Sequence, residues 1–336
     1  MKRTILVFLV LLLGLGREVY AQGARNGTNA ADELNIPVDA EFLGGGSAAA
    51  NATGLAGVLW NPAGLDRATG DVSVMLARRS YFSDTGINFA AVGMRFGRLG
   101  SLALSLRSFD LGSIERTDEF NMDGTGETFS PTFFTLGATY SRQMTDRISI
   151  GGTANLVYES FSNVGASGVA VDAGVQYQEF LGVQGLRIGV AIRNIGTSMR
   201  YDGSSLLQQG QLSEDDRGPT QYKVVAAAAD MPTVVDIAAS YNVFRGLSLG
   251  ATYMENTYGP SQVRALAQYD FYGWITARAA YNFAVDDPNQ LAIDQPAFGA
   301  TLNLQQAIGA NLALDYGYMP AQFFGATHVF AIRGQF

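Results

Sequence analysis

The side chains that most often carry out chemistry in proteins are scarce in this sequence. Its 336 residues include one histidine, His328, and no cysteine. A serine hydrolase needs a serine, a histidine and a carboxylate that converge, whereas the sequence pattern places His328 on an apolar strand face. A zinc site normally has several histidine or cysteine ligands. We therefore predict that the chain is not an enzyme and holds no cofactor and no metal, and a lipase is the weaker alternative.

Two acidic segments could bind a cation but match no binding loop well. Residues 119–124 alternate oxygen-bearing side chains and end at Gly124, as calcium loops do. The segment begins with Glu119, however, and Ser130 stands where such a loop carries its bidentate acid. Residues 214–216 are a run of three acids in the longest loop, which is typical of a solvated surface.

A third group of chemically active side chains consists of charged residues on one side of segments that alternate with period two. In a β-strand such positions share one face. Both signs occur, which predicts ion pairs that line either a polar conduit or a sealed interior around a plug. The predicted interior charges are Arg107, Arg147, Arg187, Arg193, Arg264, Arg278, Arg333, Glu159, Asp172, Asp236, Asp270 and Asp315.

The elements that must position these charges are long alternating segments. From residue 148 to 158, apolar residues alternate with small or polar ones, and the same happens from 308 to 318. Most segments have about the 9 to 11 residues with which a tilted strand crosses a bilayer. The fourteen predicted strands are 71–81, 86–96, 100–109, 132–144, 147–159, 168–178, 186–194, 233–243, 246–255, 261–271, 273–283, 295–304, 308–318 and 325–336.

The connections between these segments favour a closed barrel in a membrane. Short links near 98–99, 145–146, 245–246, 272–273 and 305–306 alternate with long ones at 110–131, 195–232 and 284–294. Outer-membrane barrels have short turns on one side and longer loops on the other, and an even number of strands. A soluble β-sandwich is the alternative, but its strands are usually shorter. The tracts 110–131 and 195–232 are candidates for partner contact.

The last predicted strand carries a pattern of its own. Phe330, Ile332 and Phe336 share one face of it, whereas Thr327, Arg333 and Gln335 share the other. An aromatic final residue on an alternating strand resembles the assembly signal of outer-membrane barrels. The alternative is a strand that merely ends the chain.

The N-terminus indicates export. Lys2 and Arg3 precede an apolar run at 5–13, and small residues lead to Ala21 before Gln22. This pattern predicts a signal peptide over 1–21 that is cleaved between Ala21 and Gln22. The alternative, a retained anchor, is disfavoured because a spanning helix needs roughly 20 apolar residues.

The composition agrees with an envelope barrel. Removal of the signal peptide takes away three positive charges and one negative charge, which changes the formal charge from −8 to −10. So acidic a chain disfavours nucleic-acid binding. Without cysteine, an exported protein has no disulfides and depends on strand pairing and packing. We predict that the protein lies in the outer membrane of a diderm bacterium, with lipid around it.

The segment between the signal peptide and the first strand does not alternate. Over residues 22–69 it is rich in alanine and glycine, with a predicted helix at 48–59 that Ser47 caps and Asn61-Pro62 ends. It is too short to span lipid and too apolar to remain in water, so we predict a hatch inside the barrel formed by residues 70–336. A periplasmic tether is the alternative.

The stretch from Ala31 to Leu65 resembles the start of PorV/PorQ-family outer-membrane proteins, and its residues Asn61, Pro62, Ala63 and Gly64 form the hatch motif. That family is similar to the FadL fatty-acid channels, whose hatch carries the same Asn-Pro-Ala. The resemblance implies an all-β fold, a 14-stranded antiparallel transmembrane β-barrel with a short, partly helical N-terminal hatch in its lumen.

The resemblance also implies two functions. A PorV/PorQ-like protein would shuttle secreted cargo in a type IX secretion pathway, with secretion-complex subunits and exported proteins as partners. A FadL-like channel would instead carry a hydrophobic small molecule in its lumen. A structural barrel with a sealed lumen is the third interpretation, which the mixed interior charges allow.

Overall fold

The chain forms a closed antiparallel β-barrel with its N-terminal segment inside. The computed structural model describes residues 27–81, 85–210, 220–285, 295–305, 309–321 and 325–336. The predicted signal peptide, with its cleavage site between Ala21 and Gln22, lies outside these ranges, as do residues 214–216. In the described ranges no helix is long and apolar enough to cross a membrane.

Fourteen strands build the barrel wall, at the positions that the alternation predicts. They are β1 Val72–Ser80, β2 Gly86–Arg95, β3 Ser101–Asp110, β4 Thr132–Gln143, β5 Ile148–Phe161, β6 Val164–Gln178, β7 Leu186–Gly196, β8 Val234–Phe244, β9 Leu247–Asn256, β10 Gln262–Phe271, β11 Ile275–Ala284, β12 Pro296–Asn303, β13 Leu312–Met319 and β14 Thr327–Gln335. Each strand pairs with its neighbours in the chain.

The pairing of β1 with β14 closes the barrel. Their register runs from Ser73 opposite Gln335 to Ser80 opposite His328. The backbone N–H groups of Asp71 and Val72 both donate to the carbonyl of Phe336, at 2.8 and 3.0 Å, which extends this pairing to the end of the chain. We call this end of the barrel the turn end and the opposite end the loop end.

Two predicted strand boundaries were wrong. β6 begins at Val164 rather than 168, because Ser162, with a φ of 50°, and Asn163 form a two-residue hairpin at the loop end. β13 begins at Leu312 rather than 308, because Gly309 adopts a positive φ of 71° in the preceding turn. A local alternation cannot show where a chain reverses.

The two faces of the wall have opposite chemistry. Outward positions expose large apolar side chains, among them Leu76, Leu104, Ile150 and Ile332. Inward positions are buried and carry small, polar or charged residues as well as apolar ones. An outward apolar band with a polar interior is typical of transmembrane barrels.

The hatch lies within this wall and is less regular than predicted. It comprises a 3₁₀ turn at Asp32–Asn35, helix α1 at Ala48–Asn51, helix α2 at Leu55–Trp60 and a 3₁₀ turn at Pro62–Arg67. The single predicted helix 48–59 was wrong, because Gly54, at φ 58° and ψ −137°, breaks it. Ser47 has a positive φ of 58° and makes no side-chain cap.

The two long links at the loop end differ from each other. Link 111–131 projects as a hairpin, with Ile114–Glu115 paired to Thr128–Phe129. Link 197–233 begins and ends inside the barrel, where Met199 and Met231 are buried and Met199 bridges to Ala229. Of the predicted partner-contact tract 195–232, only part therefore lies on the surface. Its further elements are Asp202–Gly203, Ser204–Leu206, Leu207–Gly210 and Thr220–Lys223.

Candidate functional site: the hatch and the lumen wall

The hatch motif is attached to the wall by the side chain of Asn61, which is fully buried. Its Nδ2 donates to the carbonyl of Ala49 in α1 at 2.7 Å. The same nitrogen lies 3.1 Å from the carbonyl of Val175 and 3.3 Å from that of Val190, which oppose each other in β6 and β7. Its Oδ1 accepts from the N–H of Ala63 at 3.1 Å. One side chain thus joins both parts of the hatch to the wall.

Inward-facing glycines let the hatch backbone lie directly against the wall. A Cβ at Gly174 would stand 2.0 Å from Asn61 Oδ1, and one at Gly151 would stand 2.5 Å from the carbonyl carbon of Pro62. At Gly189 a Cβ would stand 2.0 Å from the Ala49 carbonyl oxygen. Real Cβ atoms do not come this close to other atoms, so a side chain at any of these positions would force the hatch or the wall to shift. Within the hatch itself, a Cβ at Gly64 would stand 2.0 Å from the carbonyl oxygen of Ala52.

The tightest electrostatic link between hatch and wall is formed by Glu41. Arg278 in β11 reaches Glu41 Oε1 at 3.1 Å, and Arg333 in β14 pairs with Glu41 Oε2. Arg333 also holds Asp315 with two bonds of 2.6 and 2.8 Å. Arg278 donates to Thr301 at 2.6 Å. Glu41 therefore balances two arginines of the wall, the buried Arg278 and the half-buried Arg333.

A second ion pair lies within the wall beneath α2. Arg193 in β7 donates to Asp236 in β8 at 2.9 and 2.7 Å, and both side chains are buried. The guanidinium carbon of Arg193 lies 5.5 Å from the ring centre of Trp60, which is a cation–π distance. Trp60 Nε1 donates to Asp39 Oδ2 at 3.1 Å. Burial, followed by the negative charge of Glu41, raises the pKa of Asp39 to about 7.

The first turn of the hatch meets a buried acid in the wall. The N–H of Ala31 donates to Glu159 Oε1 at 2.9 Å, and the hydroxyl of Tyr201 donates to the other oxygen. Arg107 donates to the carbonyls of Glu33 and Leu34 at 3.3 and 3.0 Å. Burial, followed by the negative charge of Glu159, raises the pKa of Glu33 to about 7.

A bulge between β6 and β7 positions Asp172. The register shifts between Val171 and Ala173, and Asn194 adopts a φ of 60° there. The N–H of Asn194 donates to Asp172 Oδ1 at 2.6 Å, and Asn155 donates to Oδ2 at 2.8 Å. Asp172 is thus satisfied by amides rather than by an arginine within ion-pair distance.

Of the remaining predicted interior charges, three lie on the inner side of the barrel wall and one does not. Arg187 reaches Asn51 of α1 at 3.2 Å, and Arg264 donates to Gln262 at 3.0 Å. Asp270 accepts from Gly273 at 2.7 Å in the β10–β11 turn. The interior position of Arg147 was wrong, because this residue precedes β5 in a turn, is 51% exposed and pairs with Glu179 at 3.2 Å.

The lumen side of β1–β3 is apolar. Met75, Ala77, Ile87, Phe89, Ala91, Ala103 and Phe109 face inward there and pack against hatch residues Val38, Ala40, Leu43, Leu55, Val58 and Leu65. Polar residues interrupt this side at Ser73 and Arg79 in β1 and at Ser101 and Arg107 in β3. Arg79 is buried and donates to the carbonyl of Pro37 at 2.5 Å, and its guanidinium carbon lies 5.1 Å from the ring centre of Tyr81.

Five aromatic residues continue this apolar side to the mouth of the barrel at the loop end. We call them the aromatic arc: Tyr81, Phe109, Phe133, Phe161 and Tyr201. Their successive ring centres are 6.2, 6.4, 4.9 and 6.4 Å apart. Aromatic pairs at such distances attract each other. The arc forms an apolar inner rim at the loop end.

The spaces around the hatch differ in size along the barrel. A cavity of about 40 Å³ separates it from the wall near Leu59, Phe89 and Asp172, and a volume this small holds only a few waters. A recess of about 540 Å³ opens at the turn end, with Arg187, Asn242 and Asp270 in its lining. The hatch therefore blocks the middle of the lumen.

Comparison with known proteins finds solved structures with a similar fold. No family model and no curated protein matches this chain. The P. putida toluene transporter TodX gives a TM-score of 0.56 at 12% identity, over 88% of this chain and 97% of that one. A Pseudomonas aeruginosa FadL homologue gives 0.51 at 12% identity, over 86% and 95%. The fold is FadL-like. At 12% identity the similarity establishes the fold alone.

Within this FadL-like fold, the other sequence candidates lie on the outside. His328 faces outward at the loop end, where its Nδ1 lies 2.9 Å from the hydroxyl of Tyr316. Phe330, Ile332 and Phe336 are exposed on the outer surface of the last strand and the residue after it. In the described part of the chain, no group of three or more histidine, cysteine or acidic side chains could hold a metal ion.

Sequence reasoning missed the hatch acids and one arginine. Glu33, Asp39 and Glu41 lie in a segment without periodicity, so no pattern could assign them an orientation. Arg79, by contrast, shares the inward side of β1 with Met75, and the same alternation that identified the other interior charges would have found it.

Proposed function

We propose that the protein is an outer-membrane channel of a diderm bacterium that takes up hydrophobic small molecules through a lumen closed by the hatch. The observation that carries this proposal is the aromatic arc, which joins the mouth at the loop end to the apolar side of the lumen. TodX, which is described both as a toluene transporter and as a monoaromatic hydrocarbon channel and shares this fold, supports it.

The proposed path follows the apolar side. A hydrophobic compound leaves water by binding to the aromatic arc, because apolar burial is favourable and aromatic rings offer large contact areas. It then passes between the hatch and the apolar side chains of β1–β3 toward the turn end of the barrel. The cavity of about 40 Å³ is too small for such a compound, so the hatch must shift for passage.

Uptake of radiolabelled toluene and oleate by a host strain that lacks its own channel for such compounds tests this function. Phe133→Ala removes the central ring of the arc, whereas Phe134→Ala removes the next ring along β4, which faces outward and stacks on Tyr158 at 5.0 Å. We expect uptake of at least one compound with the natural chain, a severalfold loss with Phe133→Ala and little change with Phe134→Ala. Equal uptake with and without the natural chain would refute the channel.

A second candidate is the PorV/PorQ-like role in moving secreted cargo. The observation that favours it is the hairpin in link 111–131, whose tip exposes Phe120 by 87% and Met122 by 82%. Such apolar side chains in water mark contact sites. Replacement of both by serine would reduce cargo at the cell surface in this role, whereas an unchanged surface proteome would exclude it.

A further inference from the structure

Arg78 faces outward from the barrel near its loop end, in contrast to the inward-facing Arg79 that follows it. Arg78 lies two residues before the end of β1 at the loop end and is exposed. Its register partners are Asn88 in β2 on one side and Phe330 in β14 on the other. Arg78 NH1 donates to Asn88 Oδ1 at 3.0 Å.

The guanidinium of Arg78 keeps donors available. In the described residues no carboxylate lies within 4.0 Å of it, and its bond to Asn88 uses NH1. Its Nε and its second terminal nitrogen form the planar fork that binds phosphate or carboxylate oxygens with two hydrogen bonds. The Nδ2 group of Asn88 adds a donor beside this fork.

An apolar groove begins at Arg78 and Asn88 and runs toward the middle of the barrel's height. Its volume is about 410 Å³. Ala90 forms its floor, because it pairs with Leu76 and Leu106 on the adjacent strands and is shorter than either. Phe330 and Ile332 form the side on β14. Its lining is mostly apolar, which suits an acyl chain.

We propose that this surface binds a lipid with a phosphate headgroup, whose phosphate contacts Arg78 and Asn88 while an acyl chain lies in the groove. Charge complementarity identifies the headgroup, because an outward cation in an apolar belt is stabilised by an anion at the membrane surface. The inference requires the barrel to lie in a membrane, and it does not depend on what passes through the lumen.

Native mass spectrometry of the full chain, released from phosphatidylcholine nanodiscs that contain phosphatidylglycerol, tests the site. The readout is the fraction of protein that retains phosphatidylglycerol. We expect about a fivefold decrease for Arg78→Gln, which corresponds to the loss of one surface cation. Arg98→Gln is the matched control, because Arg98 is an exposed arginine in the β2–β3 turn at the opposite end.

Ala90→Leu tests the groove separately from the charge. It fills the floor without changing any polar group, and we expect it also to lower phosphatidylglycerol retention. Equal retention by Arg78→Gln and the natural chain would overturn the proposal. Displacement of the lipid by millimolar inorganic phosphate, with no effect of Ala90→Leu, would overturn it as well, since the site would then bind a free anion. Migration on unheated gels verifies that each variant forms the barrel.

Discussion

The lumen wall holds the hatch differently on its two sides. The apolar wall, β1–β3, contacts the hatch mainly through side chains such as Phe89 and Met75, and its hydrogen bonds to the hatch lie near the two ends of these strands, at Arg79, Arg107 and Ser101. The polar wall consists of β6–β14, apart from the inward apolar residues of β14. It contacts the hatch through ion pairs to Glu41, hydrogen bonds from the Asn61 side chain and close approaches at glycines that lack a Cβ. Apolar packing is nondirectional and tolerates sliding, whereas hydrogen bonds weaken steeply with angle and distance.

This difference suggests how a hatch could move without leaving the barrel. The polar wall fixes one side of it at defined atoms, so the hatch would pivot there. The apolar wall presents no directional bond at Phe89, and a hydrophobic compound could replace the contacts that the hatch gives up. The arrangement would therefore favour passage of apolar compounds along one side only.

The largest effect is expected where the polar wall loses its charge balance. Glu41→Ala leaves the buried Arg278 without the acid it pairs with and the half-buried Arg333 with Asp315 as its remaining acid, and removal of one partner from a buried pair costs about 3 kcal/mol. Fluorescence of Trp60 reports hatch docking once Trp274→Phe has removed the other tryptophan. We expect guanidinium to release the hatch at a much lower concentration. An unchanged midpoint guanidinium concentration for hatch release would show that the ion pairs do not hold the hatch.

A smaller loss is expected from added volume on the polar wall. Gly174→Ala places a methyl group against Asn61 Oδ1, and such overpacking costs about 2 kcal/mol. Gly152→Ala is the matched control, because its Cβ would face outward and stand 3.4 Å from the Asp172 carbonyl oxygen. Guanidinium titration of both variants in one detergent provides the comparison. Equal midpoints would mean that the hatch has room to retreat from the wall.

The apolar wall should tolerate a change in side-chain shape better than the polar wall does. Phe89→Leu keeps an apolar side chain and is expected to cost only about 1 kcal/mol of hatch stability, since conservative apolar exchanges are the best tolerated. In the same titration its midpoint should therefore lie between those of Gly174→Ala and the natural chain. A loss larger than that of Gly174→Ala would reverse the comparison between the two walls.

A further effect concerns the pH dependence of stability. The pKa of Glu33 is raised in the folded protein to about 7 from an ordinary 4.5, so the folded state binds the proton more tightly. Its contribution to stability is fully present below pH 4.5 and is lost as the pH rises to 7. Its Oε1 is buried without a described partner, so Glu33→Gln should fold well. We expect this variant to lose stability less steeply between pH 4.5 and 7. A slope equal to that of the natural chain would contradict this expectation.

The sequence by itself determined the fourteen strands, their inner and outer faces and the presence of a hatch. Alternation is a local property, because successive side chains of any strand point to opposite sides. It therefore placed Arg278 and Asp315 inward before any neighbour was known. It failed at Arg147, which lies beyond the end of a strand, where alternation no longer sets orientation.

Tertiary structure alone decided how the hatch meets the wall. Glu41 and Arg333 are far apart in the chain, and their pairing depends on barrel closure and on where the hatch breaks at Gly54. The need for glycine at 174 likewise arises only because Asn61 lies against it. Contacts of this kind depend on strand register and on packing between distant segments, which no local period contains.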